Sequence, residues 1–354
     1  MPLDQPIFDL RELQLAARNH GVPLEALRYP ITPVGLHYLL IHFDIPAVDP
    51  GSWRLDVGGA VGSPLSLSLE EVRARPQISV PVTMECAGNG RAGVSPHVVS
   101  QPWVLEAVGT AEWTGIPLRG LLEEAGLTDE AVELVFEGLD SGIDGGVEQH
   151  YARSLTIEQA MADDVLLAHT VNGDPLPAQH GFPLRLVVPG WYGMTSVKWL
   201  RSITAVREPF AGYQQAQAYR MRRSEDEDGE PVSLIAPRAL MIPPGIPDFL
   251  TRSRLVDRGP VRIEGRAWSG RGDIAGVEFS ADGGGSWAEA ELGESAGRHA
   301  WRGWSYLWEP AAAGAHELCC RARDAAGNGQ PLHAAWNVGG YANNAVQRVA
   351  VAVR

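Results

Sequence analysis

The strongest chemical signal in the sequence surrounds a cysteine at the end of an apolar run. The segment is VTMECAGNGR at residues 82–91, and its cysteine is Cys86. The Ala-Gly-Asn-Gly that follows favours left-handed backbone and close approach, so we expect the thiol at the lip of a strand. Arg91 could stabilise a thiolate or an incoming anion. The alternative is a core cysteine before an ordinary turn, because free cysteines are mostly buried and inert.

A second group of polar side chains lies in QHGFPLRLVVPGWYGMTSVKWL, residues 179–200. It places His180, Arg185, Ser196 and Lys198 around an apolar strand and an irregular glycine-containing loop. Charged residues beside such a loop can hold a phosphate or a polar heterocycle. The alternative is a solvated strand edge, because most surface charges have no chemical role.

Short strands and short helices must position these residues. Ser68 and Glu71 have the spacing of a capping box, which predicts that a helix starts there. Pro117 predicts the start of a second helix, where its missing N–H costs nothing. Strands are predicted at 165–170 and 184–188. Alternation of the two element types indicates an α+β domain.

A change in composition predicts a domain boundary. The segment MRRSEDEDGEP, residues 221–231, is highly charged and is typical of an exposed connection. Beyond it, short strands separated by turn residues have the spacing of a β-sandwich. We therefore predict one domain over residues 1–222, with an N-terminal arm at 1–30, and a second over 223–354.

The overall composition excludes several classes of protein. The chain has 354 residues, 45% of them hydrophobic, a net charge of −14 and a pI near 5.2. We therefore expect a globular protein that does not bind nucleic acid, and an anionic substrate would need a local positive pocket. No apolar run reaches the ~18 residues of a membrane span. The N-terminus does not resemble a secretory signal, so we predict a cytoplasmic protein.

Cysteine usage supports the same prediction. The three cysteines are Cys86, Cys319 and Cys320, and the sequence has no CxxC or CxxCH pattern. A zinc ribbon, an iron–sulfur cluster and a covalently attached haem are therefore not expected.

Taken together, the segments resemble the sulfite oxidase family from about Thr32 to the C-terminus. The motifs that carry the resemblance are TP at 32–33, CAGNGR at 86–91, EGLDSG at 137–142, NGDPLPAQHGFPLRLVVPG at 172–190, SVKWL at 196–200, GRAWSG at 265–270, RARDAAGNGQP at 321–331 and WN at 336–337. Several long, collinear motifs make coincidence remote, and they favour the functional interpretation of Cys86, His180 and Arg185.

The resemblance implies a sulfite oxidase-type molybdopterin-binding α+β domain, followed by an all-β immunoglobulin-like sandwich used for dimerisation. It implies molybdenum bound to one pyranopterin dithiolene, with the Cys86 thiolate as the ligand from the protein. A soft thiolate suits such a metal. The residues implied to bind the cofactor are Tyr38, His42, Cys86, Asp140, His180, Arg185, Ser196, Val197 and Lys198. The residues implied to line the substrate pocket are Arg91, Trp103, Tyr219 and Arg348.

The implied activity is that of bacterial sulfite oxidases and dehydrogenases without a haem domain. An oxygen atom would be transferred to sulfite or a related small oxyanion, and electrons would leave to a separate acceptor, either a protein or oxygen. Arg91 and Arg348 would hold the oxyanion, Tyr219 would donate a hydrogen bond near the metal, and Trp103 would wall the pocket. A homodimer is expected.

The match breaks at Leu40. In members that oxidise sulfite, an Arg-Asn-His triplet follows the TP motif, and its arginine reaches the anion; here the triplet is Leu40-Ile41-His42. A lost guanidinium contact is worth ~1.5–3 kcal/mol, which weakens sulfite binding roughly ten- to a hundred-fold. The pocket could instead take a less charged or bulkier substrate. Reduction of an S- or N-oxide with the same cofactor and a non-catalytic dimeric scaffold are the remaining alternatives.

Overall fold

The computed structural model describes residues 9–354, so the first eight residues of the predicted N-terminal arm lie outside the described part. Its helices are short. The α-helices are α1 (Leu10–Arg18), α2 (Leu69–Arg73), α3 (Leu118–Ala125) and α4 (Ile157–Ala160). Short 3₁₀ turns cover Leu24–Arg28, Val34–Leu36, Arg91–Gly93, Ala178–His180 and Gly193–Thr195, and a π-helical turn covers Gln214–Ala218.

Two helices begin where the sequence predicts. At the start of α2 the Glu71 N–H donates to the Ser68 hydroxyl at 3.2 Å, and the Ser68 N–H donates to the Glu71 carboxylate at 2.8 Å. This reciprocal pair confirms the capping box. Pro117 is the N-cap of α3, one position before the predicted one. The helix ends at Gly126, whose φ of 67° is the left-handed conformation that glycine adopts most easily.

Ten strands in residues 9–206 build the first part of the molecule. They are β1 (Arg54–Gly59), β2 (Leu65–Ser68), β3 (Ile78–Glu85), β4 (Val108–Pro117), β5 (Glu133–Asp144), β6 (Val147–Thr156), β7 (Leu166–Val171), β8 (Asp174–Pro175), β9 (Arg185–Val187) and β10 (Leu200–Val206). One sheet has the order β2-β1-β10-β5-β6 and the other the order β3-β4-β7-β8, with β9 also paired to β7. The predicted strands at 165–170 and 184–188 are β7 and β9.

The first core lies against the β2-β1-β10-β5-β6 sheet and is closed by α2 and α3. Strand β1 alternates between exposed and buried positions, so Leu55 and Val57 point inward. They pack with Phe136 of β5, Ile203 of β10 and Leu122 of α3, all of them at most 2% exposed. Burial of these apolar side chains stabilises the sheet, whose strand β5 includes Asp140.

The remaining strands build a sheet-rich C-terminal part. They are β11 (Arg220–Met221), β12 (Glu230–Pro231), β13 (Arg238–Met241), β14 (Ile246–Pro247), β15 (Arg254–Val256), β16 (Val261–Trp268), β17 (Ile274–Ser280), β18 (Ala288–Glu289), β19 (Glu291–Ser295), β20 (Arg302–Trp308), β21 (Gly314–Asp324) and β22 (Gln347–Val353). Sheets of order β13-β16-β20-β19 and β14-β15-β22-β21-β17-β18 enclose a core that includes Val277, Phe279, Trp304 and Cys320.

The two parts share a third core, so they pack as one body in this structure. Ala87 and Tyr219 from the first part contact a buried cluster that contains Trp268 and Trp301 from the second. Residues 223–228 of the charged connection are exposed, as predicted, but strands β11 and β12 pair across it as a hairpin. Among residues 9–354, no helix is long and apolar enough to cross a membrane.

Candidate cofactor and substrate site

Cys86 follows the last residue of β3, at the point where the strand turns away from the sheet. Its N–H donates to the Ala107 carbonyl at 2.9 Å, and its own carbonyl accepts the Asn89 N–H at 2.9 Å. Gly90 has φ 90°, which completes the turn. Cys86 is 8% exposed, and burial raises the pKa of its thiol while the Arg91 guanidinium opposes that rise. Cys86 therefore lies at the strand end, where the sequence predicts it, and its side chain is buried.

Two cavities meet at Cys86. The first is lined by His37, Tyr38, Leu39, Leu40, His42, Met84, Cys86, Asp140, Tyr151, His180, Arg185, Gly193, Met194, Ser196, Lys198 and Tyr219. The lining of the second includes Arg91, Trp103, Tyr213, Arg220, Arg222 and Tyr341. Both include Leu40, His42, Cys86 and Tyr219. A thiol at such a junction can ligate a group in the first cavity that acts on a molecule in the second.

Three basic side chains line the first cavity: His180 and Arg185 are buried, and Lys198 is half-buried. Arg185 donates to the carbonyls of His180 and Ser196, at 3.1 Å each, and Lys198 donates to the carbonyl of Leu40 at 2.7 Å. Within residues 9–354 none of the three forms a salt bridge. Burial lowers the pKa of His180 to about 2 and that of Arg185 to about 10, and it also lowers the pKa of Lys198.

An unpaired buried cation such as Arg185 is costly, and a bound anion offsets that cost. The basic group therefore fits the phosphate of a cofactor better than it fits an empty protein core. Lys198 also lies over the Trp199 ring, with its Nζ 4.2 Å from the ring centroid, which holds the ammonium at the cavity wall.

Other polar atoms in the first cavity also lack partners in the described part of the chain. They are the Asp140 Oδ1, the His37 Nε2 and the Arg185 Nε. Burial raises the pKa of Asp140 and lowers that of His37 to about 4. Buried polar atoms are almost always hydrogen-bonded, so these atoms fit the edge of a polar heterocycle. The donors, acceptors, charge and thiol of this cavity together fit a molybdopterin.

Arg91 is a buried cation in the wall of the second cavity. Its guanidinium donates to the Gly339 carbonyl at 2.8 Å, to the Ser100 hydroxyl at 3.2 Å and to the Gln101 carbonyl at 3.3 Å. It also lies 5.1 Å from the centre of the Tyr341 ring. These neutral contacts fix the side chain but leave its charge unbalanced, which suits the binding of an anion.

Tyr219 lies where the two cavities join. Its ring centroid is 5.2 Å from that of Tyr341, and the Arg153 guanidinium is 5.5 Å from the Tyr219 centroid on another side. Burial raises the pKa of the Tyr219 phenol, so the hydroxyl keeps its proton at neutral pH. Tyr219 can therefore donate a hydrogen bond to a molecule beside Cys86.

The structure brings most of the predicted residues together. Those that line the first cavity are Tyr38, His42, Cys86, Asp140, His180, Arg185, Ser196, Lys198 and Tyr219, and those that line the second include Arg91, Trp103 and Tyr219. Val197 is different, because its side chain belongs to the core of the first sheet and is 1% exposed. Its carbonyl accepts the Leu186 N–H at 2.8 Å, and its own N–H donates to the Thr195 carbonyl at 3.0 Å.

Arg348 is not brought to either cavity, and the prediction for this residue is wrong. It lies on β22, where buried and exposed residues alternate, and the alternation turns Arg348 away from the buried side occupied by Gln347 and Val349. Its guanidinium pairs with Glu317 of the neighbouring strand and donates to the Gly283 carbonyl at 3.1 Å.

The sequence interpretation missed several residues of the site. His37 is buried in the first cavity, with Nδ1 3.0 Å from the Tyr38 carbonyl, and Tyr151 donates to the Met194 carbonyl at 2.7 Å. Tyr341 reaches the second cavity from the far end of the chain and carries no local signal. Arg220 and Arg222 could have been predicted from the sequence, because they lie within three residues of Tyr219.

Comparison with known proteins agrees with this geometry. The chain matches the oxidoreductase molybdopterin binding domain over residues 42–214 and the Mo-co oxidoreductase dimerisation domain over residues 244–354. It is 38% identical over 339 residues to sulfite oxidase from Gallus gallus, which covers 90% of this chain and 72% of that protein. The chain belongs to the sulfite oxidase family.

Other similar proteins include a second sulfite oxidase, a nitrate reductase and a sulfane dehydrogenase of known structure. Mitochondrial sulfite oxidase from Mus musculus is 38% identical over 91% of this chain, which spans only 62% of that protein. A nitrate reductase from Hordeum vulgare is 33% identical over 91% of this chain and 39% of its own length. The crystal structure of the sulfane dehydrogenase SoxCD from Paracoccus pantotrophus covers 100% of this chain and 93% of that chain, with TM-score 0.80 and 26% identity. The comparisons therefore agree with the molybdopterin-binding fold that the sequence predicts.

Proposed function

We propose that this chain is a molybdenum-dependent oxidoreductase that transfers an oxygen atom to sulfite or a related small oxyanion. One observation carries the proposal: the Cys86 thiol lies where a cavity lined by the basic side chains of His180, Arg185 and Lys198 meets a cavity whose lining includes Arg91, Arg220 and Arg222. The first cavity fits an anionic cofactor, and the second fits an anionic substrate.

In this proposal the first cavity holds molybdopterin. His180, Arg185 and Lys198 bind its phosphate and polar edge, and Cys86 ligates its molybdenum. The bound cofactor supplies oxygen-atom transfer and accepts two electrons. Asp140 and His37 are the other polar groups that would hydrogen-bond to the heterocycle, because each has a buried atom that lacks a partner among residues 9–354.

The second cavity then binds the substrate. Arg91 holds the oxyanion by charge, and its contacts with Ser100 and Gln101 keep the guanidinium in place. Tyr219 donates a hydrogen bond beside Cys86, and the buried ring of Trp103 excludes water from one wall. Electrons leave to a separate acceptor, either another protein or oxygen.

A substrate screen with an artificial electron acceptor tests the proposal. Protein with a measured molybdenum content would be incubated with sulfite and related oxyanions, and reduction of the acceptor would be followed. We expect turnover of at least one reduced oxyanion that depends on molybdenum content. Fully loaded protein that turns over none of them at millimolar concentration would overturn the proposal.

Reduction of a nitrogen oxyanion is the second candidate. It is supported by the similarity to the nitrate reductase from Hordeum vulgare over 91% of this chain. The same two cavities would be used, with electrons supplied to the cofactor and oxygen removed from the substrate. A reduced dye with nitrate as oxidant distinguishes the two directions.

The C-terminal part is proposed to be an immunoglobulin-like sandwich that forms a homodimer. Its two sheets enclose a common core, and the match to a dimerisation domain supports the assembly. We place the boundary between the domains at residues 222 and 223, within the charged connection. A reducing, cytoplasmic location is supported by the free, buried thiols of Cys319 and Cys320. Cell fractionation would test the location.

A further inference from the structure

The second cavity includes several apolar side chains in its lining. Five of them are Leu15, Leu40, Phe43, Ile143 and Val338. Ile143 is 73% exposed, and the other four are half-buried. An exposed isoleucine is unremarkable alone, but five apolar side chains on one cavity form a surface that water solvates poorly.

The same cavity is lined by three arginines and two carboxylates, Asp144 and Glu225. Arg91, Arg220 and Arg222 contribute to its wall, and their hydrogen bonds go mainly to backbone carbonyls. The Asp144 carboxylate is 3.2 Å from the His42 imidazole and accepts the Gln214 amide at 2.9 Å, and within residues 9–354 neither it nor Glu225 forms an ion pair with these arginines. The cavity thus offers both unpaired guanidinium groups and apolar side chains to a molecule beside Cys86.

A molecule that uses both kinds of side chain carries one anionic group and one apolar group. Sulfite uses only the guanidinium groups, because it has no apolar part to cover the apolar side chains. Leu40 is the apolar residue that lines both cavities together with Cys86. A substituent on the reacting atom would therefore lie near Leu40.

Building on the proposed function, we propose that the preferred substrate is an organic sulfinate, R–SO₂⁻, in which R is apolar. The reaction is R–SO₂⁻ + H₂O → R–SO₃⁻ + 2H⁺ + 2e⁻. A new S–O bond forms at the sulfur lone pair, and no bond of the sulfinate breaks. The sulfur is oxidised by two electrons, which leave through the cofactor to an external one-electron acceptor. Water supplies the oxygen, and both protons go to solvent.

Chain length provides the first test. With cofactor-loaded protein and ferricyanide as acceptor, kcat/KM would be measured for sulfite, methanesulfinate, butanesulfinate and benzenesulfinate. Each methylene in an apolar pocket discriminates by roughly tenfold or more. We expect kcat/KM to rise at least tenfold from methanesulfinate to butanesulfinate. Titration calorimetry with the product analogues methanesulfonate and butanesulfonate should show the same order, without any need for turnover.

Two matched variants locate the effect. Leu40→Asn keeps the size of the side chain but removes its apolar character, so the preference for butanesulfinate over methanesulfinate should fall at least fivefold. Leu307→Asn makes the same change at a residue that is 57% exposed on β20 and lines neither cavity. It should leave the preference unchanged.

The outcomes separate the inference from the proposed function. Sulfite turnover that exceeds that of every sulfinate overturns the inference and leaves the proposed function standing. A length preference that persists in Leu40→Asn also overturns it, because the apolar contact would then lie elsewhere. Absence of turnover for sulfite and all sulfinates, at full molybdenum content, overturns the proposed function itself and the inference with it.

Discussion

The Trp268 indole N–H donates to the Glu85 carboxylate, with 2.7 Å between Nε1 and Oε2, and so joins the C-terminal sheet to the residue before Cys86. Glu85 also pairs with Arg238, at 3.0 Å between Oε1 and Nε, and accepts the Asn89 amide at 3.0 Å. Both members of the ion pair are 1% exposed at their side chains. The C-terminal part thereby helps to fix the strand end that presents the thiol.

Removal of one partner from this buried pair should be costly. Arg238→Met leaves the Glu85 carboxylate buried without its cation, and we expect the free energy of unfolding to fall by about 3–5 kcal/mol. Denaturant unfolding would measure it. The double variant Glu85→Gln with Arg238→Met should recover part of that loss, since it removes both charges. Equal stability of the single and double variants would contradict the role given to the pair.

Cys86→Ser should abolish activity, because the hydroxyl of serine is a poorer ligand for a soft metal than a thiolate. Metal analysis and pterin fluorescence would show whether cofactor remains bound when activity is lost. Cys319→Ala is the control, since Cys319 lies in the C-terminal sheet and should leave activity in place. Full activity in Cys86→Ser would show that the Cys86 thiolate is not the ligand on which activity depends.

Much of the site could be predicted from the sequence because its signals are local. The turn after Cys86 needs glycine and asparagine within a few residues. His180, Arg185 and Lys198 lie in one segment, 179–200, so their closeness in the structure follows from their closeness in the sequence. The capping box at Ser68 is local in the same way. The fold followed from the family motifs, which run collinearly along both parts.

Other residues of the site depend on packing that the sequence does not show. Tyr341 contacts Arg91 only because the C-terminal part folds back over the Cys86 turn, and that contact spans about 250 residues. Arg348 was placed wrongly because its position was inferred from the chain end, while the register of β22 decides which side it faces. Val197 sits between two cofactor residues in sequence, but the chain turns its side chain into the core.

Replacement of Arg185 should lower cofactor binding but raise the stability of the cofactor-free protein. Arg185→Met removes a charge that the cofactor would pair with, so the molybdenum and pterin content of the purified protein should fall severalfold. The cofactor-free protein should become more stable, by about 1–3 kcal/mol, because an unpaired buried charge is gone. Metal analysis and denaturant unfolding check the two expectations.

Arg201→Met provides the comparison for Arg185. Arg201 pairs with Glu137 and its side chain is 38% exposed, so its loss should affect neither cofactor content nor stability by much. If the cofactor-free Arg185→Met protein is strongly destabilised, the guanidinium stabilises the protein core and the expectation is wrong.

An exposed apolar loop in the C-terminal part is expected to contribute to the dimer. Phe249 is 85% exposed and Leu250 is 84% exposed, within the range matched by the dimerisation domain. The pair of substitutions Phe249→Ser and Leu250→Ser should weaken association by at least tenfold, as measured by light scattering across a dilution series. Val132→Ser changes a residue that is 43% exposed outside that range and should have no effect. Unchanged association in the double variant would place the interface elsewhere.

Gly88 is expected to control the position of Arg91. A Cβ at Gly88 would lie 2.6 Å from Nη1 and 2.7 Å from Cζ of Arg91, so Gly88→Ala must displace the guanidinium. Loss of a charged hydrogen bond costs about 1.5–3 kcal/mol, so KM for the anionic substrate should rise roughly tenfold or more. Molybdenum content should stay the same, because the cofactor residues are untouched. Steady-state kinetics at two salt concentrations, with metal analysis, would measure both.

Two further variants make the Gly88 result specific. Gly93→Ala is the matched control, since its Cβ would find its nearest neighbour at 3.8 Å and KM should not change. If Gly88→Ala acts through Arg91, adding it to Arg91→Ala should cause no additional rise in KM, because the guanidinium it displaces is already absent. A further rise in the double variant would mean that Gly88 supports the Cys86 turn directly, and the close approach to Arg91 would then not explain the kinetic effect.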